Sequence, residues 1–323
     1  MGRKLIIEAI GGLTNRLMAV TSGLRLAMHY GLDFGLSWEP SSECNAEFHD
    51  LFENDFPIVK KTKRAVDSHI FVIGHGANGW IVDPVLRVPD DDRDIWLTTH
   101  AIIAHSNEPR DRNFSPSQGI IFDIGRYVRA LRVRPEILAA AEKFSLTANR
   151  TLGLHIRRPY SNNLSLEPWQ LANERKVYGV LTDDFFVEIV KRTLSLDPTI
   201  DVLLCTNSES TEARLRESLG NKIISQPKTG ADDPSLLSSP RGALIDLLLL
   251  SKTFGVIHQV HTHFSLFATL MTMAPNLVAV PGPETSSADL VLIRWLENGH
   301  IDVERGPDAI PKLVLRRYNF YRY

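Results

Sequence analysis

The sequence predicts an α/β protein of two Rossmann-like units, and three observations carry that prediction. The strand-length run Lys4–Ile10 meets a Gly-Gly turn and then residues at helical spacing, the order expected of a parallel sheet. From residue 151 to about 285, short apolar runs alternate with amphipathic stretches, the pattern of a doubly wound domain. Finally, 323 residues exceed the roughly 250–300 at which a single core stops growing.

In the first unit, Leu5–Ile10 reads as a strand, Gly11-Gly12-Leu13-Thr14-Asn15-Arg16 as a tight turn, and Leu17–Tyr30 as a helix. Gly31 ends that helix as a left-handed cap, and Leu32–Trp38 reads as a second strand. Between 40 and 115, short apolar runs (Ile70–Ile73, Ile95–Thr98) sit among charged loops. The acidic run Asp90–Asp94 reads as a solvated loop, because no glycine or terminal glutamate follows at calcium-loop spacing. Ile120–Val133 and Pro135–Phe144 read as helices, the second entering at a proline, which a first helical position tolerates.

The boundary is expected within Leu146–Arg150, giving units 1–148 and 149–323. In the second unit Thr151–Ile156, Val202–Cys205, Lys222–Ser225, Gly255–Ile257 and Leu277–Val280 read as strands. Asp184–Leu196, Ser210–Leu219, Gly242–Ser251 and Ser265–Met273 read as the helices between them. The series is expected to close before Pro281-Gly282-Pro283, with a tail beyond it. Gln226–Pro240, rich in Ser, Pro, Asp and Gly, reads as a surface loop.

Composition narrows the function classes. A hydrophobic content of 43% with 23% charge is that of a soluble globular protein. The formal net charge of −2 argues against nucleic acid as a partner. Two cysteines, Cys44 and Cys205, are too few for a disulfide framework or a Cys-rich metal site. The N-terminus lacks the form of a signal peptide, and the most apolar window, Ala243–Leu250, contains Asp246 and is far short of about 20 spanning residues. A cytoplasmic location without an integral membrane segment is expected.

Four stretches bear chemistry. Leu152-Gly153-Leu154-His155-Ile156-Arg157-Arg158 brings an imidazole and two guanidiniums to the end of a buried strand, where open α/β sheets bind ligands. A guanidinium's planar fork suits phosphate. His155 and Arg157 share a strand face and Arg158 points to the other. The Gly11-Gly12 turn lets backbone approach a ligand, although a tight turn without one accounts for it equally. Asp246 lies in the apolar run Ala243–Leu250, so it needs a partner, either structural (Arg241 or a backbone amide) or the N1–H and N2–H of a guanine. The polar cluster Val260-His261-Thr262-His263-Phe264-Ser265 opens a helix suited to phosphate, with Ser265 as a plain N-cap the simpler reading. Its H-x-H spacing raises zinc, but no third ligand is evident.

Together these stretches resemble the superfamily of GDP-fucose-dependent fucosyltransferases. It includes the bacterial nodulation-type and core α1,6-fucosyltransferases, with the α1,2- and protein O-fucosyltransferases more distant. The likeness rests on the Gly11–Trp38 turn and helix (G-G-x-x-N-[RQ]), His155–Arg158 (H-x-R-R), Cys205–Ser208, and Arg241-Gly242 through Asp246 (R-G-x-x-x-D) to Ser265, in the same order and spacing. It implies a GT-B-like fold, with the donor on the C-terminal unit, and inverting, metal-independent transfer of fucose from GDP-fucose to a glycan or glycolipid hydroxyl. No cofactor is implied.

By the same resemblance Arg157 is the catalytic residue, gripping the β-phosphate of the leaving diphosphate. His155 and Asp246 hold the guanine, and Thr262 stands where core fucosyltransferases have a phosphate-binding serine. Asn15 and Arg16 face the nucleotide, and Arg158, Asn207 and Ser265 complete the donor site. Asp183, Asp184, Glu167 and Glu174 are candidate general bases. The chain departs from the family pattern at Pro159-Tyr160, at Thr206-Asn207-Ser208, where Thr-Asp-Asp is usual, and at His261-Thr262-His263. A GDP-sugar binder without catalysis, or a transferase of another GDP-sugar, therefore stands as the alternative. A NAD-dependent enzyme is disfavoured, because the glycine fingerprint and ribose-binding acid are missing.

Overall fold

The computed structural model describes residues 2–63, 67–73, 85–105, 118–158, 181–226, 239–259, 262–281, 288–295, 301–306 and 308–316. Contacts divide them into two units, one of residues 2–140 with 239–245, the other of 141–226 with 246–295 and 301–316.

The first unit is built on strand β1 (Lys4–Ala9), helix α1 (Leu13–Tyr30), strand β2 (Asp33–Ser37), strand β3 (His69–Ile73), the short strand β4 (Val85–Leu86), strand β5 (Ile95–Thr99) and the short strand β6 (Ala104–His105). Helices α2 (Gln118–Arg129) and α3 (Pro135–Glu142) follow. Four strands form a parallel sheet in the order β2-β1-β5-β3, while β4 and β6 pair separately. Helix α1 begins four residues earlier than its apolar periodicity suggested, capped by Gly12, and ends at Gly31 in the left-handed conformation, φ 65°. Gly23 lies where α1 crosses β1: a Cβ there would stand 2.2 Å from Ile7 Cγ1.

Helix α2 stops at Arg129, short of the expected Val133, which instead forms a bridge to Phe52. The acidic run behaves as a loop, with Asp91 accepting from His69 and Arg93, and Asp94 accepting from the backbone of Lys4.

One charge is buried in this sheet. Glu8 on β1 accepts from Trp96 Nε1 at 2.8 Å and Thr98 Oγ1 at 2.7 Å, and pairs with Lys61 Nζ at 2.6 Å. Burial alone would raise its pKa, but these three partners together outweigh it and hold the carboxyl below the ordinary value.

The second unit runs β7 (Thr151–Ile156), α4 (Asp183–Leu196), β8 (Asp201–Thr206), α5 (Glu209–Leu219), β9 (Ile223–Ile224), the part of α6 (Pro240–Ser251) from Asp246 onward, β10 (Val256–Gln259), α7 (His263–Thr272) and β11 (Asn276–Pro281). With two further strands, β12 (Ala288–Trp295) and β13 (Ile301–Arg305), its sheet has the order β13-β12-β11-β10-β7-β8-β9, parallel from β9 to β11. The last two strands, β12 and β13, are antiparallel, and helix α8 (Ala309–Arg316) follows them. These three elements correct the expectation that the series closes before Pro281. Leu290, Leu292, Ile310 and Leu313 belong to the buried core, so this stretch is part of the unit rather than a tail.

The strand first in sequence, β7, lies between β8 and β10, so chain direction across the sheet reverses beside it. In such sheets the crevice beyond the carboxyl ends at that reversal is where ligands bind. The alternation of β7 sets its two faces. Leu152, Leu154 and Ile156 join the core formed with Phe186 and Val190 of α4, Leu215 of α5 and Leu313 of α8. Gly153, on the opposite face, meets α6 and the turn after it.

A Cβ on Gly153 would stand 2.9 Å from both Leu250 Cδ2 and Thr253 Oγ1, and 3.2 Å from Val256 Cγ2. Gly153→Ala should therefore destabilise the protein by about 1–3 kcal/mol through overpacking. Urea unfolding checks this, and an unchanged midpoint would show that α6 yields space freely.

Candidate functional site: a polar crevice beyond β7 and β10

His155 is on the Gly153 face, two residues nearer the strand's carboxyl end, and is 7% exposed. Its register partner across the parallel pair is His258 of β10, and Cys205 of β8 lies on its other side. Helix α7 closes over the pair. Its Phe264 stacks on the His155 ring with centroids 4.8 Å apart, and Ser265 Oγ lies 2.6 Å from His155 Nδ1. Thr262 Oγ1 is 2.8 Å from Ser265 Oγ and 3.3 Å from His258 Nδ1. His258 Nδ1 is in turn 2.7 Å from the backbone carbonyl of Gln259.

Four side chains from a strand, its neighbour and one helix thus form a continuous buried chain. The N-cap of α7 is Thr262, without a side-chain cap bond, so Ser265 is not the cap it resembled in sequence; its hydroxyl serves His155 instead.

The electrostatics follow from this packing. Burial pushes the His155 pKa down to about 3, with His258 and the Arg157 charge adding to the shift. Burial likewise lowers His258 to about 4. Both rings are neutral at pH 7 and act as hydrogen-bonding groups rather than charges.

Arg157 follows the last residue of β7, and its backbone N–H donates to Gln259 Oε1 at 2.9 Å. That bond locks the strand end to β10, and Arg157 is close enough for its charge to act on His155. Positive charge and neutral imidazole therefore lie close together at the end of β7, an arrangement suited to an anion with a polar heterocycle.

Arg158 turns to the opposite face, as alternation requires. It donates to Asp183 and to the carbonyl of Leu181, reaches Thr211 Oγ1 at 3.2 Å, and lies over the Phe186 ring. Asn207 holds its backbone from both sides, Oδ1 accepting from Arg158 N at 2.7 Å and Nδ2 donating to Arg158 O at 2.8 Å. The structure thus places Arg158 and Asn207 in a scaffold that fixes the end of β7. Asp183 also accepts from Thr211, and Asp184 pairs with Arg214, so two candidate bases are held in ion pairs. Glu167 and Glu174 lie outside the described residues.

Asp246 is half-buried on α6, and its Oδ1 accepts from Gln226 Nε2 at 2.6 Å. Its carbonyl lies 4.0 Å from Cys205 Sγ, which places α6 on the His155 face but one strand further along the sheet. Gln226, not one of the partners anticipated for Asp246, is the first residue of the stretch expected to be a surface loop, of which 227–238 lie outside the described residues.

In the first unit, Asn15 packs against Gly11, whose φ of 83° requires glycine. Arg16 is 2% exposed and bonds within its own unit, to Gly11 O at 2.8 Å, Glu39 O at 2.7 Å and Ser41 Oγ at 2.8 Å. Its guanidinium lies over Trp38, 5.1 Å from the ring centroid. Arg16 is thereby a brace of the glycine turn. Among the described residues, no group of three His, Cys, Asp or Glu is placed to hold a metal; His261 is outside them.

His258, Gln259 and Phe264 were not singled out from sequence. The available signal was the polar pair His258-Gln259 ending an apolar strand, which reads as a solvated edge until its neighbours are known.

No family model and no curated protein matches the sequence. Solved structures do match the fold. The fucosyltransferase NodZ from Bradyrhizobium is 16% identical, with 95% of this chain and 100% of that one covered at a TM-score of 0.51. A GDP complex of a variant of FUT1 from Arabidopsis thaliana gives a TM-score of 0.55 at 10% identity, covering 90% of this chain and 74% of that one. POFUT1 in complex with GDP-fucose gives 0.51 at 11% identity, covering 84% and 94%. The chain is therefore similar in fold to GT-B-like proteins of this kind.

The two neutral histidines make stability depend on pH. Below about 6.5 the unfolded chain gains protons at both, whereas the folded chain does not until pH approaches 4 and then 3. The unfolded state then binds more protons, so stability falls on acidification from pH 6.5 to 4, by at most about 1.4 kcal/mol per pH unit for each histidine. Unfolding free energies across that window should show the slope, and His155→Gln should roughly halve it, leaving the His258 share.

Proposed function

We propose that this protein is an inverting glycosyltransferase that moves fucose from GDP-fucose to a hydroxyl of a glycan or glycolipid. One observation carries the reading: a neutral, buried His155 and the cationic Arg157 lie close together at the sheet's direction reversal, on a fold similar to that of proteins solved with GDP or GDP-fucose. Arg157 takes the β-phosphate, His155 and Asp246 the guanine, and Thr262 stands on the phosphate side with Ser265 buried behind it. Arg158 and Asn207 hold the strand end from which Arg157 projects. The family resemblance extends the donor-binding role to Asn15 and Arg16.

In this reading the acceptor oxygen forms a bond to C1 of fucose as the bond from C1 to the diphosphate oxygen breaks on the opposite face. The electron pair leaves with GDP, and the acceptor's proton passes to a base. Charge accumulates on the β-phosphate in the transition state, and a guanidinium fixed there stabilises it more than the ground state. The same cation supplies the countercharge that many sugar transferases take from a divalent metal, so transfer needs no metal.

Calorimetric titration with GDP, GDP-fucose, GDP-mannose and UDP, with and without EDTA, tests the donor. GDP-selective, EDTA-insensitive binding with preference for GDP-fucose is expected, and equal binding of UDP would refute the guanine role of Asp246. Arg157→Ala should lower transfer by about 10²–10³-fold, in line with loss of an oxyanion donor, while the fold survives. Turnover like that of the wild type would sink the mechanism.

A further inference from the structure

The hydrogen-bond chain beneath the crevice has a direction, and that direction selects the tautomer of His155. The Gln259 carbonyl can only accept, so His258 Nδ1, 2.7 Å away, carries a proton and donates. Thr262 Oγ1, 3.3 Å from the same nitrogen, then meets an N–H and not a lone pair. The Thr262 hydroxyl must direct its own proton elsewhere. Among the described residues its choices are Gln259 O at 3.4 Å, which already accepts the shorter bond from His258, and Ser265 Oγ at 2.8 Å. The shorter contact is favoured. Ser265, fully buried, then receives from Thr262 and, among the described residues, has His155 Nδ1 at 2.6 Å as its other partner.

We infer that Thr262 and Ser265 are positioning residues. They deliver a proton-directed hydrogen bond to His155 Nδ1 and so fix the ring as the Nε2–H tautomer, a committed donor toward the ligand. The ring's lowered pKa agrees, since a neutral imidazole has one donor and one acceptor nitrogen and the chain decides which is which. An Nε2–H binds a carbonyl, ring nitrogen or phosphate oxygen and rejects a second N–H donor. The nucleotide therefore has to present an acceptor atom at that point.

Which nucleotide does so rests on the reading given above, whereas the tautomer does not. This makes Ser265 and Thr262 contributors to specificity through His155 rather than groups that must touch the donor themselves.

Two measurements test the inference. In the ligand-free protein, long-range proton–nitrogen correlation spectra assign the tautomer of each histidine, with His155→Gln identifying the His155 signals. An Nε2–H pattern is expected, shifting toward Nδ1–H in Ser265→Ala; an Nδ1–H pattern in the wild type overturns the chain's direction. The second is GDP titration of His155→Gln and His155→Asn. The glutamine amide reaches the Nε2 position and the asparagine amide the Nδ1 position, so the glutamine variant should bind about tenfold more tightly. The reverse order overturns the inference. An Nε2–H tautomer in a protein that does not bind GDP would refute the donor reading and leave the tautomer assignment standing.

Discussion

Gly153 has no side chain because Leu250, Thr253 and Val256 fill the volume one would need. That close approach lets α6 and the start of β10 press against the middle of β7, the strand around which this sheet reverses. Everything at the crevice is measured from there. Two residues further on, the same face presents His155, in register with His258, and two residues after that the strand has ended at Arg157. A residue with a Cβ at 153 would move α6 away from the strand, and with it Asp246 and the turn that leads into β10.

Two kinds of fastening then fix the strand end. On one face Gln259 accepts from the backbone of Arg157, tying β7 to β10. On the other, Arg158 is drawn into Asp183, Thr211 and Phe186 while Asn207 holds its backbone on both sides. Adjacent arginines therefore do opposite work. The pairing of Arg158 with Asp183 satisfies a charge that is mostly removed from water, with side-chain exposures of 15% and 26%. Arg157, set by its neighbour's anchoring, stays at the strand end with its charge close to His155.

The first unit repeats this economy on a smaller scale. A conspicuous Gly-Gly-x-x-Asn-Arg turn looked like an anion cradle, yet Arg16 spends three of its N–H groups on the turn's own backbone and on residues 39 and 41. A guanidinium buried this way costs several kcal/mol unless its protons are satisfied. Its bonds to Gly11 and Ser41 show how the sequence met that requirement. The glycine turn is consequently stiff, with Gly11 held in a conformation that few other residues adopt.

Periodicity and turn chemistry alone located β1, α1, β2, β7, α4, β8 and α5 to within a few residues, because each of these elements is written in local apolar spacing and in caps such as Gly31. The motif at 155–158 likewise announced both its strand end and the opposite directions of its two arginines, since alternation along a strand is a local property. What the sequence could not decide was partnership. The antiparallel strands 288–295 and 301–305 are held by pairing with a strand already placed, and no local pattern states such pairing. Ser265 carries every mark of a helix cap, but tertiary packing puts Thr262 at that position and turns the serine toward His155, 110 residues away in sequence. Gln226 finds Asp246, and His258 finds Thr262, only once the sheet has ordered its strands. Residue types and spacing determined which chemistry was available; the long-range contacts of the folded sheet determined which atom of each group is left to do it.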